Sequence, residues 1–161
     1  MLEFLNQMNR YSRWMNGKLL AECSKLTDAQ RKADRSAPFR SIHGIWNHLL
    51  LADRLWLSRF GLEPFTSTSL DQEIHADWDD FRASRAQTDD MVDRWLQTMT
   101  PEVLTGDLSF TRLAGGGEFT FSYQKCAIHF FNHGTHHRGQ ITALLEQAGG
   151  DCGVTDLLVC P

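Results

Sequence analysis

Leu5, Met8, Ser12, Met15 and Leu19 recur at steps of three and four, the spacing that lines one face of an amphipathic helix and predicts helix over about residues 2–24. Thr27 and Gln30 then have capping-box spacing, which predicts a brief extra turn in LTDAQRKA before Pro38 interrupts the chain. Ile42, Ile45, Leu49, Ala52, Trp56 and Phe60 mark a second long helix that Gly61 ends. Beyond a loop around Pro64, Ser69 and Gln72 repeat the capping-box spacing, and Ile74, Trp78, Phe81, Val92, Trp95 and Met99 predict a third helix over about residues 70–99, stopping at Thr100-Pro101. Between Gly106 and Ser122 the period changes: DLSFTRL and EFTFSY alternate polar and apolar residues around Gly115-Gly116-Gly117, the pattern of a β-hairpin. A fourth long helix starts near Ser122 and carries Cys126, Phe130, His133, His137, Ile141, Leu144 and Ala148 in one stripe until Gly149-Gly150. The closing DCGVTDLLVCP has no period and reads as an extended tail that can pack back on the helices.

Four long amphipathic helices joined by moderate loops bury their stripes most simply as a bundle. The expected fold is all-α, a four-helix bundle with a small β-hairpin before the last helix, forming a single domain over residues 1–161. Sixteen basic against 20 acidic residues give a net charge of −4 without blocks of like charge, so a nucleic-acid partner is not expected. No apolar run approaches the ~20 residues that cross a bilayer, and the opening MLEFLNQMNRYSRW lacks the apolar stretch of a signal peptide; a cytoplasmic protein without a membrane partner is expected. Cys23, Cys126, Cys152 and Cys160 are scattered without a C-x-x-C pair and read as reduced thiols.

The histidines carry the chemistry. Of seven in the chain, His129, His133, His136 and His137 fall within HFFNHGTHHRGQ. Residues four apart on a helix lie about 40° apart around the axis and about 6 Å along it, so two imidazoles at that spacing can reach one ion, and His129/His133 and His133/His137 both have it. His133 and His137 share a face with Phe130, Ile141 and Leu144, which directs them inward. A third donor, His48, stands beside the apolar stripe of the second helix between Ile45 and Ala52. Three neutral imidazoles suit zinc, nickel or a similar borderline divalent ion and leave a position open, as catalytic sites do. An inward histidine is more often a hydrogen-bonded core residue, but the i, i+4 pair with a third on a neighbouring helix favours ligation.

Other residues are weaker candidates. The pair is H-G-T-H-H, so no glutamate stands where a H-E-x-x-H metalloprotease holds its base, and neither histidine belongs to the Glu-x-x-His motif of di-iron bundles. Cys126 reads as a buried apolar thiol in preference to a ligand, and Asn47 and Asn132 as supports for the neighbouring histidines. His43, His75 and His136 read as surface or interfacial, and Trp14, Trp46, Trp56, Trp78 and Trp95 as packing.

SIHGIWNHLLLADRLWL, HFFNHGTHHRGQITALLEQAGG and GVTDL resemble the diagnostic stretches of the DinB-like (YfiT-like) metalloenzyme superfamily. NRYSRWMN is similar to that family's YN-x-W-x-N pattern, with Ser12 where asparagine is usual. The resemblance implies an up-down-down-up bundle, a homodimer, and a metal site at the positions of His48, His133 and His137. It also implies use of a low-molecular-weight thiol as cosubstrate, since some relatives are thiol transferases or a thiol-dependent isomerase. The expected function is a metal-dependent thiol transferase acting on a small-molecule substrate, with no general base identified. Hydrolysis by activated water and a non-catalytic metal-binding stress-response module are the alternatives. A homodimer is expected as well because the first and third helices carry more large apolar side chains than one face each can bury.

Overall fold

A computed structural model describes residues 1–113 and 116–161. Its long helices are α1 (Leu2–Lys25), α3 (Ile42–Arg59), α4 (Trp78–Gln97) and α6 (Tyr123–Gln147), with short helices α2 (Asp28–Lys32) and α5 (Pro101–Thr105) between them. Strands β1 (Asp107–Thr111) and β2 (Glu118–Ser122) form an antiparallel hairpin in which Leu108 faces Phe121 and Phe110 faces Phe119. Gly115, part of the expected hairpin turn, lies outside the described residues. No described helix is long and apolar enough to cross a membrane.

Side-chain caps decide where most helices begin. Thr27 and Gln30 form the full capping box that starts α2, with Gln30 N–H donating to Thr27 Oγ1 over 3.2 Å and Thr27 N–H to Gln30 Oε1 over 2.8 Å. Ser41 caps α3 by accepting from Gly44 N–H at 3.0 Å, and Ser122 both closes β2 and caps α6. The third long helix departs from expectation at both ends. Gln72 makes no cap there: its Oε1 accepts from Thr68 N–H at 3.1 Å and from the Ser67 and Thr68 hydroxyls, which folds residues 67–72 into a loop. The helix starts only at Trp78, after Asp77, whose carboxylate accepts from Asp79 and Asp80 N–H. At its other end Gln97 is the last residue, and Thr100-Pro101 opens α5 with a threonine cap and proline at the first turn.

Each long helix packs mainly on two others: α1 on α6 and α4, and α3 on α6 and α4. Two apolar clusters result. Leu5, Leu57, Phe60, Trp95, Phe130 and Phe131 belong to one, while Leu19, Ile45, Leu49, Phe81, Ile141 and Leu145 belong to the other. A polar layer separates them on every long helix, comprising Asn9 and Asn16 on α1, Asp53 on α3, Arg85 and Thr88 on α4, and Arg138 on α6, all buried. The C-terminal tail returns to α1, where Tyr11 Oη donates to the Thr155 carbonyl at 2.8 Å and Lys18 Nζ to that of Val154 at 2.5 Å.

Candidate metal centre

His48 on α3 and His133 and His137 on α6 converge, and one ring nitrogen from each lies within 4.8 Å of the other two. His133 Nε2 and His137 Nε2 are 3.1 Å apart, close to the edge of about 3.3 Å expected between nitrogens bound at 2.0–2.1 Å to one tetrahedral ion. Two further contacts aim the donors. His48 Nδ1–H donates to the Leu70 carbonyl at 2.7 Å and His137 Nδ1–H to Gln140 Oε1 at 2.8 Å, so each ring keeps its Nε2 lone pair for the centre. The donor set therefore fits a borderline divalent ion without a carboxylate.

The loop before α4 is part of this construction. Asn47 Oδ1 accepts from both Ile74 and His75 N–H at 2.9 Å, while its Nδ2 donates to the His43 and His75 carbonyls, tying the loop that carries Leu70 to α3. On the other side Phe39 stacks on His48 at 3.8 Å between centroids and meets His137 edge-on at 5.8 Å. Phe39 takes φ +56°, a left-handed conformation costly for a bulky residue. Its carbonyl comes so near α3 that a Cβ on Gly44 would lie 2.0 Å from the oxygen, so glycine at that position is what lets the Phe39 ring reach His48.

Burial pushes His133 down to about 3, with the neighbouring His137 and His48 adding to the effect, and pushes His137 down to about 4 against the opposing pull of Gln140. His48 is lowered too, by burial. All three are therefore neutral, and able to ligate, at physiological pH. In the metal-stripped protein the unfolded chain, whose histidines titrate near 6.5, binds more protons than the folded one. The stability these groups contribute is complete above that value and is lost as pH falls towards the folded values. Urea midpoints of metal-stripped protein are expected to fall between about pH 6.5 and pH 4, and the fall is expected to be shallower in His133→Gln.

The remaining candidates divide. Asn47 supports the site through the loop, but Asn132 is exposed and has no part in it. His75 is half-buried and His136 exposed. His43, expected at the surface or an interface, is only 3% exposed beside the Trp78 and Phe81 rings, and Glu73 Oε1 at 2.8 Å and the His75 carbonyl at 2.9 Å lie within hydrogen-bond reach of its Nε2. Cys126 is buried and outside the three-histidine group, its thiol raised by burial. Trp46, Trp78 and Trp95 are buried, whereas Trp14 and Trp56 are half-buried, and Trp56 lines a cavity of about 500 Å³ that also touches His48, His129 and His133. Gln140 escaped the sequence reading although it stands three residues after His137, a spacing at which helical side chains meet. Phe39 and Leu70 left no such signal, since a loop brings each of them to the site.

Bundle and donors together define a helical protein with a three-histidine group able to hold a metal ion at the edge of a cavity. The chain belongs to the DinB family, whose model matches residues 1–160. It is 26% identical to Protein DinB of Bacillus subtilis (strain 168) over 165 residues, covering 97% of this chain and 92% of that protein. The crystal structure of a DinB-like protein from Bacillus cereus ATCC 10987 has the same fold, with a TM-score of 0.65 at 20% identity over 88% of this chain and 91% of the other.

Proposed function

We propose that the protein holds one divalent ion, zinc or nickel, on His48, His133 and His137 and transfers a low-molecular-weight thiol to a small electrophilic substrate. The observation that carries this reading is the convergence of three neutral, carboxylate-free imidazoles beside a cavity of small-molecule size. A divalent ion held there would supply Lewis acidity that favours the anionic, nucleophilic form of a thiol. The chain's own side chains do the rest. Leu70 and Gln140 orient the imidazoles, Phe39 covers the His48 ring, and Leu55, Trp56 and Phe110 give the cavity apolar walls that exclude water from a reacting thiolate.

The test is a panel of electrophiles and esters run with and without the cell's low-molecular-weight thiol, using metal-loaded and metal-stripped protein. Saturable turnover of an electrophile is expected only when metal and thiol are both present. Ester cleavage independent of thiol would replace the transferase by a hydrolase.

A further inference from the structure

The cavity beside the histidines is cationic at its far end, in a protein whose net charge is −4. Arg59 on α3, Arg112 after β1 and Lys125 on α6 line it, and no aspartate or glutamate does so among the described residues. Arg59 is half-buried, and aromatic rings fix it in place: its guanidinium carbon lies 4.8 Å from the Trp56 ring centre and 4.4 Å from that of Phe110. No described residue gives it a hydrogen bond or an ion pair. The contrast with Arg85 is informative, because that buried guanidinium meets Asp53 at 2.6 Å and Asp89 at 2.8 Å. Burial lowers the pKa of Arg59 with only Cys126 opposing, which is the state of a cation lacking its counter-ion. Arg112 and Lys125, both exposed, are held over Phe119 at 3.9 Å and Phe121 at 5.2 Å, so the hairpin supports the cationic end.

The two ends are set apart along the same helices. Eleven residues separate His48 from Arg59 on α3, an axial rise of roughly 16 Å, and eight separate Lys125 from His133 on α6, roughly 12 Å. Between them the walls are mainly apolar, formed by Leu55, Trp56, Phe110 and Phe121, with the imidazole of His129 against Trp56 at 5.2 Å between ring centres. We infer that the cavity binds a small amphipathic carboxylate, its carboxylate on Arg59 with Lys125 and Arg112 at the mouth, its apolar body along Trp56, and its opposite end towards the histidines. A guanidinium pre-positioned on aromatic rings is suited to paired hydrogen bonds with a planar carboxylate, and the cavity's size accommodates a single small ligand. The direction in which the molecule would react rests on the metal-centre reading; the anion subsite itself does not.

The test is calorimetric binding of 4-phenylbutyrate and its neutral amide, 4-phenylbutanamide, to wild type, Arg59→Gln and Arg59→Lys, each zinc-loaded and zinc-stripped, with thermal melts to confirm folding. Wild type is expected to prefer the carboxylate by about tenfold or more in both metal states. Arg59→Gln is expected to lose that preference, and Arg59→Lys to retain part of it. Equal binding of the two probes by wild type, or no binding of either, overturns the subsite. A preference that survives Arg59→Gln and disappears on zinc removal also overturns it, by assigning the anion to the ion and leaving the metal centre intact. An Arg59-dependent preference in protein that fails to bind zinc would uphold the subsite and remove the metal-centre reading instead. Should Arg59→Gln not fold, Lys125→Gln, at an exposed position, is expected to weaken carboxylate binding without changing that of the amide, and no change there overturns the assignment.

Discussion

Arg85→Ala is expected to destabilise the fold by about 3–5 kcal/mol, a large share of a domain's total stability. Arg85 is 1% exposed and joins Asp53 of α3 to Asp89 of its own helix, while Asn16 of α1 donates to the same Asp89 carboxylate at 3.0 Å. Removing the guanidinium leaves two carboxylates in a layer between apolar clusters, where hydration is lost and no counter-charge replaces it. Arg138 stands in the same layer, with Ser12 Oγ at 3.1 Å and Thr135 Oγ1 at 3.3 Å accepting from it. Its pKa is lowered by burial to about 10, so it remains charged at neutral pH and offsets part of the exposed imbalance. A drop in urea midpoint at unchanged slope is the expected signature, and Lys25→Ala serves as the reference. The Lys25–Glu22 pair is 69% exposed on the lysine side, and its loss is expected to cost under about 1 kcal/mol.

The long helices were legible because apolar residues at steps of three and four must face a core, and His133 and His137 were legible for the same reason, riding the stripe of Phe130 and Ile141. His48 was read from its place beside Ile45 and Ala52. What the period could not show lies in loops. The start of α4 was misplaced because Ser69 and Gln72 have the spacing of a cap, while the competing bonds from Thr68 and from Asn47 to the chain around His75 depend on contacts between distant residues. His43 looked peripheral because the Glu73 and His75 groups that receive its Nε2 come from that same loop. Phe39 reaches His48 only through a left-handed turn, and the permissive residue is Gly44, whose significance appears only when the two backbones are side by side. The polar layer was equally hidden: Asn9, Asp53, Arg85 and Arg138 each look like surface residues until four helices bring them together.

Substituting alanine at His48, His133 or His137 is expected to cost zinc affinity by more than the roughly 10–100-fold that loss of an outer hydrogen-bonding partner causes. Each removes a donor from a group with no carboxylate to take its place. Gln140→Ala is expected to fall within that 10–100-fold range, since it frees the His137 ring to turn without removing its nitrogen. His136→Ala and Asn132→Ala, at exposed positions on the same helix, are expected to leave affinity within about twofold of wild type, because neither belongs to the convergent group. Competition with a chromophoric chelator, at fixed pH, reads all six variants against wild type.

X-ray absorption of the zinc-loaded protein tests the three-histidine centre most directly, because it reports the identity and distance of the bound atoms without reference to activity. One zinc per chain is expected, with the scattering pattern of three imidazoles at about 2.0–2.1 Å and one further oxygen or nitrogen donor in the remaining position. A sulfur shell at about 2.3 Å, which would bring in Cys126, or zinc bound by fewer than three imidazoles, would contradict it.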